Sequence, residues 1–159
     1  MKKFYNADQS DFEDLLALTI DFEFDKDIVS NAEFKPDEKA LRKERRADLK
    51  NLLADKTCNY IVCNYNKQLA AYIFVGYNTT YKGEGYIYEL YVVPQFRKKG
   101  IAKKLLEKGV QWLKKNGCTS IDITVNRKNK AALLLYQGSS FQKQKSNYIS
   151  LRWNICIKK

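Results

Sequence analysis

The residues best suited to chemistry are Arg97-Lys98-Lys99-Gly100-Ile101-Ala102. They follow an apolar run ended by Pro94 and lead into an amphipathic segment. A helix start has unpaired N–H groups and a partial positive charge. A loop feeding into it aims successive amides at an anion. Gly100 permits close approach or an unusual backbone angle, and the small Ala102 lets a phosphate come near the helix axis. Arg97, Lys98 and Lys99 add positive charge. Together these form a recipe for holding a pyrophosphate. The pattern is neither Gly-x-Gly-x-x-Gly nor Gly-x-x-x-x-Gly-Lys-Ser/Thr, which disfavours dinucleotide-binding and P-loop sites. Taken alone, the same residues also fit a plain turn followed by a solvated lysine face.

The chemistry available elsewhere is restricted, because the 159 residues include no histidine. That removes the commonest general base, the commonest metal ligand and every Ser-His or Cys-His nucleophile. Carboxylates, tyrosines, backbone amides and bound water remain. Cys58, Cys63, Cys118 and Cys156 are scattered without zinc or redox spacing, so reduced thiols in a cytoplasmic protein and no metal are expected. No apolar run is long enough to span a bilayer, and Met1-Lys2-Lys3-Phe4-Tyr5 lacks the apolar stretch of a signal peptide. Charge is uneven. Residues 1–55 hold ten Lys/Arg and 14 Asp/Glu, whereas residues 56–159 hold 19 and four. A basic half suits a phosphorylated cofactor or, as a rival, non-specific nucleic-acid binding.

The elements that must position the loop follow from periodicity. Residues 2–6 read as a strand. Residues 9–24 read as a helix, with Ser10 as cap and Glu13 completing a capping box. A charged helix is expected over 37–54, with Leu41, Leu49, Leu52 and Leu53 as its apolar residues. Two strands, 58–65 and 68–77, join at Asn66-Lys67, and a third covers 85–93. A helix over 100–116 closes at Asn116-Gly117. A strand over 119–125, a short helix over 129–137 and strands near 140–145 and 148–157 complete the order β-α-α-β-β-β-α-β-α-β-β. The strand–helix–strand run around residue 100 requires a parallel crossover, so the class is α/β (α+β) with a mixed sheet, in one domain over 1–159.

The segment Glu89-Leu90-Tyr91-Val92-Val93-Pro94-Gln95-Phe96-Arg97-Lys98-Lys99-Gly100-Ile101-Ala102 closely resembles the signature of the GNAT superfamily of N-acetyltransferases. That signature is Arg/Gln-x-x-Gly-x-Gly/Ala after a strand ending in Val-x-Pro. Asn129-Lys130-Ala131-Ala132-Leu133-Leu134-Leu135-Tyr136, followed by Phe141, is similar to a second family pattern. Ser140 departs from it, because the family has glycine there; with Gly138 two residues earlier, a rearranged turn is expected. The resemblance implies acetyl-coenzyme A as co-substrate and direct attack by an amine while both substrates are bound. It implies that Leu90, Tyr91 and Val92 line the pantetheine arm, that residues 97–102 supply amides to the pyrophosphate, and that a strand N–H near Tyr91 or Val92 supports the oxyanion. Tyr136 becomes the general acid for the leaving thiolate, since a phenol stays protonated at neutral pH, with a pKa of roughly 10; read on its own, it is a core-packing ring. Asn129 touches the cofactor or is a plain helix cap. Glu89 is the best-placed base, with Tyr88, Glu84 or a water chain as alternatives. Strand alternation sets it with Tyr91 and Val93, opposite Tyr88 and Leu90, unless a bulge intervenes.

The first two helices border the acceptor site in that family. Here the region carries Asp8, Asp11, Glu13, Asp14, Asp21, Glu23, Asp25 and Asp27, an acidic rim suited to a cationic amine: a polyamine, an aminoglycoside-like amine or a lysine or peptide amine. The same charges also fit a solvated helix face. Tyr5, Phe12, Phe22, Phe24 and Phe34 serve either an acceptor wall or the core. The expected partners are therefore a small-molecule or peptide amine and no membrane, with the oligomeric state, a homodimer included, left open. The rivals are a catalytically silent acyl-coenzyme A sensor and a basic nucleic-acid-binding module.

Overall fold

The computed structural model describes residues 1–30, 37–143 and 149–154, with side chains described over 1–26 and 37–142. Phe34 and Cys156, and the side chain of Asp27, lie outside that description. Eleven elements follow the expected order: β1 (Lys2–Asn6), α1 (Phe12–Ser30), α2 (Glu38–Leu52), β2 (Cys58–Tyr65), β3 (Gln68–Tyr77), β4 (Glu84–Val92), α3 (Ile101–Lys115), β5 (Ser120–Val125), α4 (Lys130–Gln137), β6 (Gln142–Lys143) and β7 (Ile149–Asn154). Short 3-10 turns cover Gln9–Asp11 and Pro94–Phe96.

The start of α1 differs from the expectation. Asp8, not Ser10, is the cap: its carboxylate accepts from the Ser10 N–H at 2.8 Å, and Asp11 accepts from the Asp8 N–H at 3.1 Å. Two carboxylates three residues apart satisfy the orphan amides one turn earlier. Glu13 is then free to take both guanidinium nitrogens of Arg46. With no glycine or proline before Pro36, α1 runs on to Ser30. The α2 cap is Asp37, whose side chain accepts from the Lys39 N–H.

The seven strands form one sheet in the order β1-β2-β3-β4-β5-β7-β6, with all pairs antiparallel except β4 and β5. Strand alternation sorts β3 into two faces. Ala71, Ile73 and Val75 join Ile101, Leu105, Leu106 and Leu113 of α3 on one face. Tyr72 and Phe74 join Leu15 and Leu16 of α1 and Leu49 of α2 on the other. Each buried valine, leucine, isoleucine or phenylalanine among them stabilises the fold by about 1.5–3 kcal/mol relative to exposure. Helix α3 lies against the sheet at Gly109, where a Cβ would come within 2.8 Å of Ile73 Cδ1.

One irregularity shapes the centre of the sheet. Phe74 pairs with Glu89 but Val75 pairs with Ile87, so Tyr88 is an extra residue in β4. This bulge resets the alternation. Ile87 and Leu90 both meet the α3 side, whereas Tyr88 packs on Phe74 at 4.9 Å, on the α1–α2 side. Simple alternation had set Tyr88 opposite Glu89; the bulge returns the two to one face.

Candidate active site

The bulge also ends the parallel pairing. Strands β4 and β5 pair from Glu84↔Ser120 to Ile87↔Ile123 and no further, although both strands continue. Beyond Ile87 no strand among the described residues pairs with β4 on that side. The Val93 N–H donates to Ala70 of β3 at 3.0 Å. By antiparallel alternation Tyr91 also turns its backbone groups toward β3, while Leu90 and Val92 turn theirs toward the open edge. The Val92 carbonyl confirms its direction, because it accepts from Arg97 Nε at 2.9 Å.

This open edge leads into the start of α3. After the Pro94–Phe96 turn, Lys98 and Gly100 both adopt left-handed backbone, with φ of 59° and 76°. Gly100 is the N-cap residue and offers no side-chain cap. A Cβ placed on it would meet nothing within 4 Å, so the helix start faces open space. An uncapped, positive helix end with room before it is the arrangement that accepts an anion.

The basic side chains of the loop are placed differently from one another. Arg97 turns away from α3: besides Val92 it bonds Asp25 Oδ1 of α1 at 2.9 Å and lies 5.8 Å from the Tyr91 ring centre. Lys99 lies over the rings of Tyr65 and Phe96, at 5.0 and 5.3 Å, and its carbonyl accepts from Lys2 Nζ. Ile101 is buried and anchors the helix start, and Ala102 packs beside it.

Glu89 is nearly enclosed, with its side chain 11% exposed. Tyr72 donates to its Oε2 at 2.7 Å and Arg45 to its Oε1 at 3.1 Å; Arg45 also pairs with Glu23. Burial, and then the Glu89 charge, hold the Tyr72 hydroxyl well above the ordinary phenol range. Arg45 and Tyr72 were missed by the sequence reading. A signal existed: Leu41, Arg45 and Leu49 stand four apart, which puts a guanidinium on the apolar stripe of α2.

Tyr136 belongs to the apolar cluster that holds Val92 and Ile101 and packs against Leu90. Its ring meets Phe141 edge-on at 5.9 Å, and burial raises its pKa above the ordinary value. Its hydroxyl has no hydrogen-bond partner among the described residues. Asn129 caps α4, its Oδ1 accepting from the Ala132 N–H at 3.0 Å. Gly138 is right-handed, and Ser140 itself takes the left-handed position, at φ 69°. The turn is thus kept, not rearranged, and Ser140 carries the strain that glycine would avoid.

The acidic segment is partly neutralised from within. Glu13 pairs with Arg46, Glu23 with Arg45 and Lys26, and Asp25 with Arg97. Asp8 and Asp11 are spent on the helix cap. Asp21 is exposed on α1, and partial burial of its carboxyl raises its pKa. Glu84, the other carboxylate of β4, accepts from the Tyr86 hydroxyl at the far end of the strand. A cavity of about 350 Å³ lined by Tyr77, Asn78, Lys82 and Cys118 lies at that far end too, away from the loop. Among the described residues no cluster of side chains could hold a metal, and no helix is long and apolar enough to cross a membrane.

Comparison with known proteins agrees with this geometry. The chain matches the Acetyltransferase (GNAT) family over residues 18–141, most of its length, and belongs to that family. It is 33% identical over 58 residues to an uncharacterized N-acetyltransferase of Methanocaldococcus jannaschii, a match that covers 36% of this chain and 26% of that protein. Its fold is similar to that of the PaiA N-acetyltransferase of Thermoplasma acidophilum, solved in complex with coenzyme A. The TM-score is 0.82 at 15% identity, over 98% of this chain and 99% of the other. AAC(6')-Iy, solved with the bisubstrate analogue CoA-S-monomethyl-acetylneamine, aligns with a TM-score of 0.74 at 15% identity, over 92% and 94% of the two chains. The family is one of acetyltransferases, and the first of these two structures holds coenzyme A.

Proposed function

We propose that the protein, as a single catalytic domain, transfers the acetyl group of acetyl-coenzyme A to a primary amine by direct attack in a ternary complex. The observation that carries this reading is the edge of β4 beyond Ile87, which leads through the Pro94–Phe96 turn into the uncapped start of α3. Leu90 supplies backbone groups for the pantetheine amides, and Val92, whose carbonyl Arg97 already holds, offers only its N–H on the same edge. The amides of residues 98–102 hold the pyrophosphate, with Lys98 and Lys99 adding charge. Arg97 is the hinge of the loop and not one of its donors: its N–H donates to the Pro94 carbonyl at 3.1 Å and its side chain is engaged with Val92 and Asp25. Tyr91 supports the site from the α1–α2 face by packing, its N–H being turned to β3. Asn129 fixes α4, and through it Tyr136.

Acetyl-coenzyme A supplies the activated acyl group. The Val92 N–H is the donor on the open edge that faces the developing oxyanion. The amine nitrogen forms a bond to the acyl carbon as the carbon–sulfur bond breaks, and the Tyr136 hydroxyl gives its proton to the departing sulfur; the nitrogen sheds its remaining surplus proton to water, and the tyrosinate regains one from water. Glu89 receives the ammonium proton through water. Each carboxylate oxygen accepts one hydrogen bond here and has a lone pair left for that water. Holding amine and thioester together supplies much of the rate.

The acceptor is a cationic amine. Acidic residues on α1 and the acetylneamine portion of the analogue bound to AAC(6')-Iy support this choice. With Glu23 and Asp25 taken by arginines, Asp21 is the carboxylate best suited to attract a second positive charge. Coenzyme A release measured across polyamines, aminoglycosides, lysine peptides and neutral amines tests the proposal. Polycationic amines should have the highest kcat/KM, and Asp21→Asn should raise their KM more than that of a neutral amine. Best turnover with a neutral amine would contradict the acceptor assignment. No release with any amine, despite tight coenzyme A binding, would favour a silent sensor.

A further inference from the structure

We infer that Arg97 is a positioning residue that links occupancy of the coenzyme A loop to the placement of helix α1. The inference rests on coenzyme A binding at residues 97–102. Arg97 is part of that loop, yet its side chain turns away from α3, back to the edge of β4 and on to α1. It takes the Val92 carbonyl, which a neighbouring strand would otherwise use, and it reaches Asp25, 72 positions earlier in the chain. The same stretch of α1 touches Tyr91 and reaches Glu89 through Arg45. Phe22 meets the Tyr91 ring at 6.2 Å, and Glu23 meets Arg45, which holds Glu89. Every contact from α1 to the reacting end of β4 described above thus falls within Phe22–Asp25.

The ion pair is half open to solvent, at 43% for Arg97 and 33% for Asp25. Such a pair adds little to overall stability. Its geometry suits a different role. A ligand that fixes the loop amides fixes the base from which Arg97 extends, and so restricts the turn of α1 that it holds. Since α1 forms one wall of the proposed acceptor side, donor binding prepares the acceptor side. Linkage makes the effect reciprocal.

Amide hydrogen exchange of the full-length protein, with and without coenzyme A, tests this without any acceptor. In the wild type, saturating coenzyme A should slow exchange in residues 20–26 by about 5-fold or more, the low end of ordinary coupling between sites. Asp25→Asn should still bind coenzyme A, with the loop protected, but lose the slowing in α1. Asp25→Glu should retain it, and high salt should weaken it by screening. Unchanged α1 exchange on binding in the wild type, or full slowing in Asp25→Asn, overturns the link while leaving the functional reading standing. Absence of coenzyme A binding to the wild type overturns that reading and the link with it.

Discussion

Tyr72 and Glu89 meet diagonally across β3 and β4, with the phenol donating to the carboxylate at 2.7 Å. Burial is the first cause of the raised Tyr72 pKa and the Glu89 charge the second. Tyr60 and Tyr136 are also raised, each by burial above all. In the unfolded chain each phenol ionises near roughly pH 10, whereas in the fold each keeps its proton to higher pH. The unfolded state therefore loses protons first as pH rises. The resulting stabilisation is complete below about pH 10 and is lost above it. Denaturant midpoints should hold up to that point and then fall, and tyrosinate absorbance from these three residues should emerge only with unfolding. Full ionisation of all eleven tyrosines in a still-folded protein would contradict the packing described.

Tyr136→Phe tests the assigned acid. Because the hydroxyl has no hydrogen-bond partner among the described residues, its removal should change stability by less than about 0.5 kcal/mol. Coenzyme A affinity should also hold. Turnover, measured where chemistry limits the rate, should fall by about 10²–10⁴-fold, the usual span for a general acid. A stable variant with wild-type turnover would make Tyr136 a packing residue.

Much of this was legible in the sequence, for identifiable reasons. The loop and its flanking strand and helix could be placed because Pro94, Gly100 and Asn116-Gly117 punctuate two strongly periodic runs. The direction of each side chain could not. Arg97 reads as a phosphate ligand by type and position, and only the fold shows that Asp25 and Val92 hold it. Glu89 reads as a strand carboxylate, but its enclosure depends on Arg45 and Tyr72, brought from 44 and 17 positions away. The bulge at Tyr88 has no glycine or proline to announce it. At the start of α1, Ser10 and Asp8 both had the chemistry of a cap, and the reciprocal bond from Asp11 decided between them.

Ser140 offers a test of the second motif. A non-glycine residue in the left-handed region costs roughly 1–2 kcal/mol, and glycine does not pay it sterically. Its added flexibility in the unfolded chain offsets part of the gain. Ser140→Gly should therefore raise unfolding stability by about 0.5–1 kcal/mol, read as a shifted denaturant midpoint at constant slope. A loss of stability would show that the turn after α4 is held differently.

Coenzyme A binding to wild type and to Gly100→Glu tests the central claim most directly. At φ 76° any side chain is strained, and a carboxylate would project into the open space before the α3 start. Titration calorimetry should give saturable binding of acetyl-coenzyme A to the wild type. The folded Gly100→Glu protein should bind at least about 100-fold more weakly, since a like charge in such a site costs several kcal/mol. Unchanged affinity in a folded Gly100→Glu protein would remove the pyrophosphate from the 97–102 loop, and with it the mechanism built on that loop.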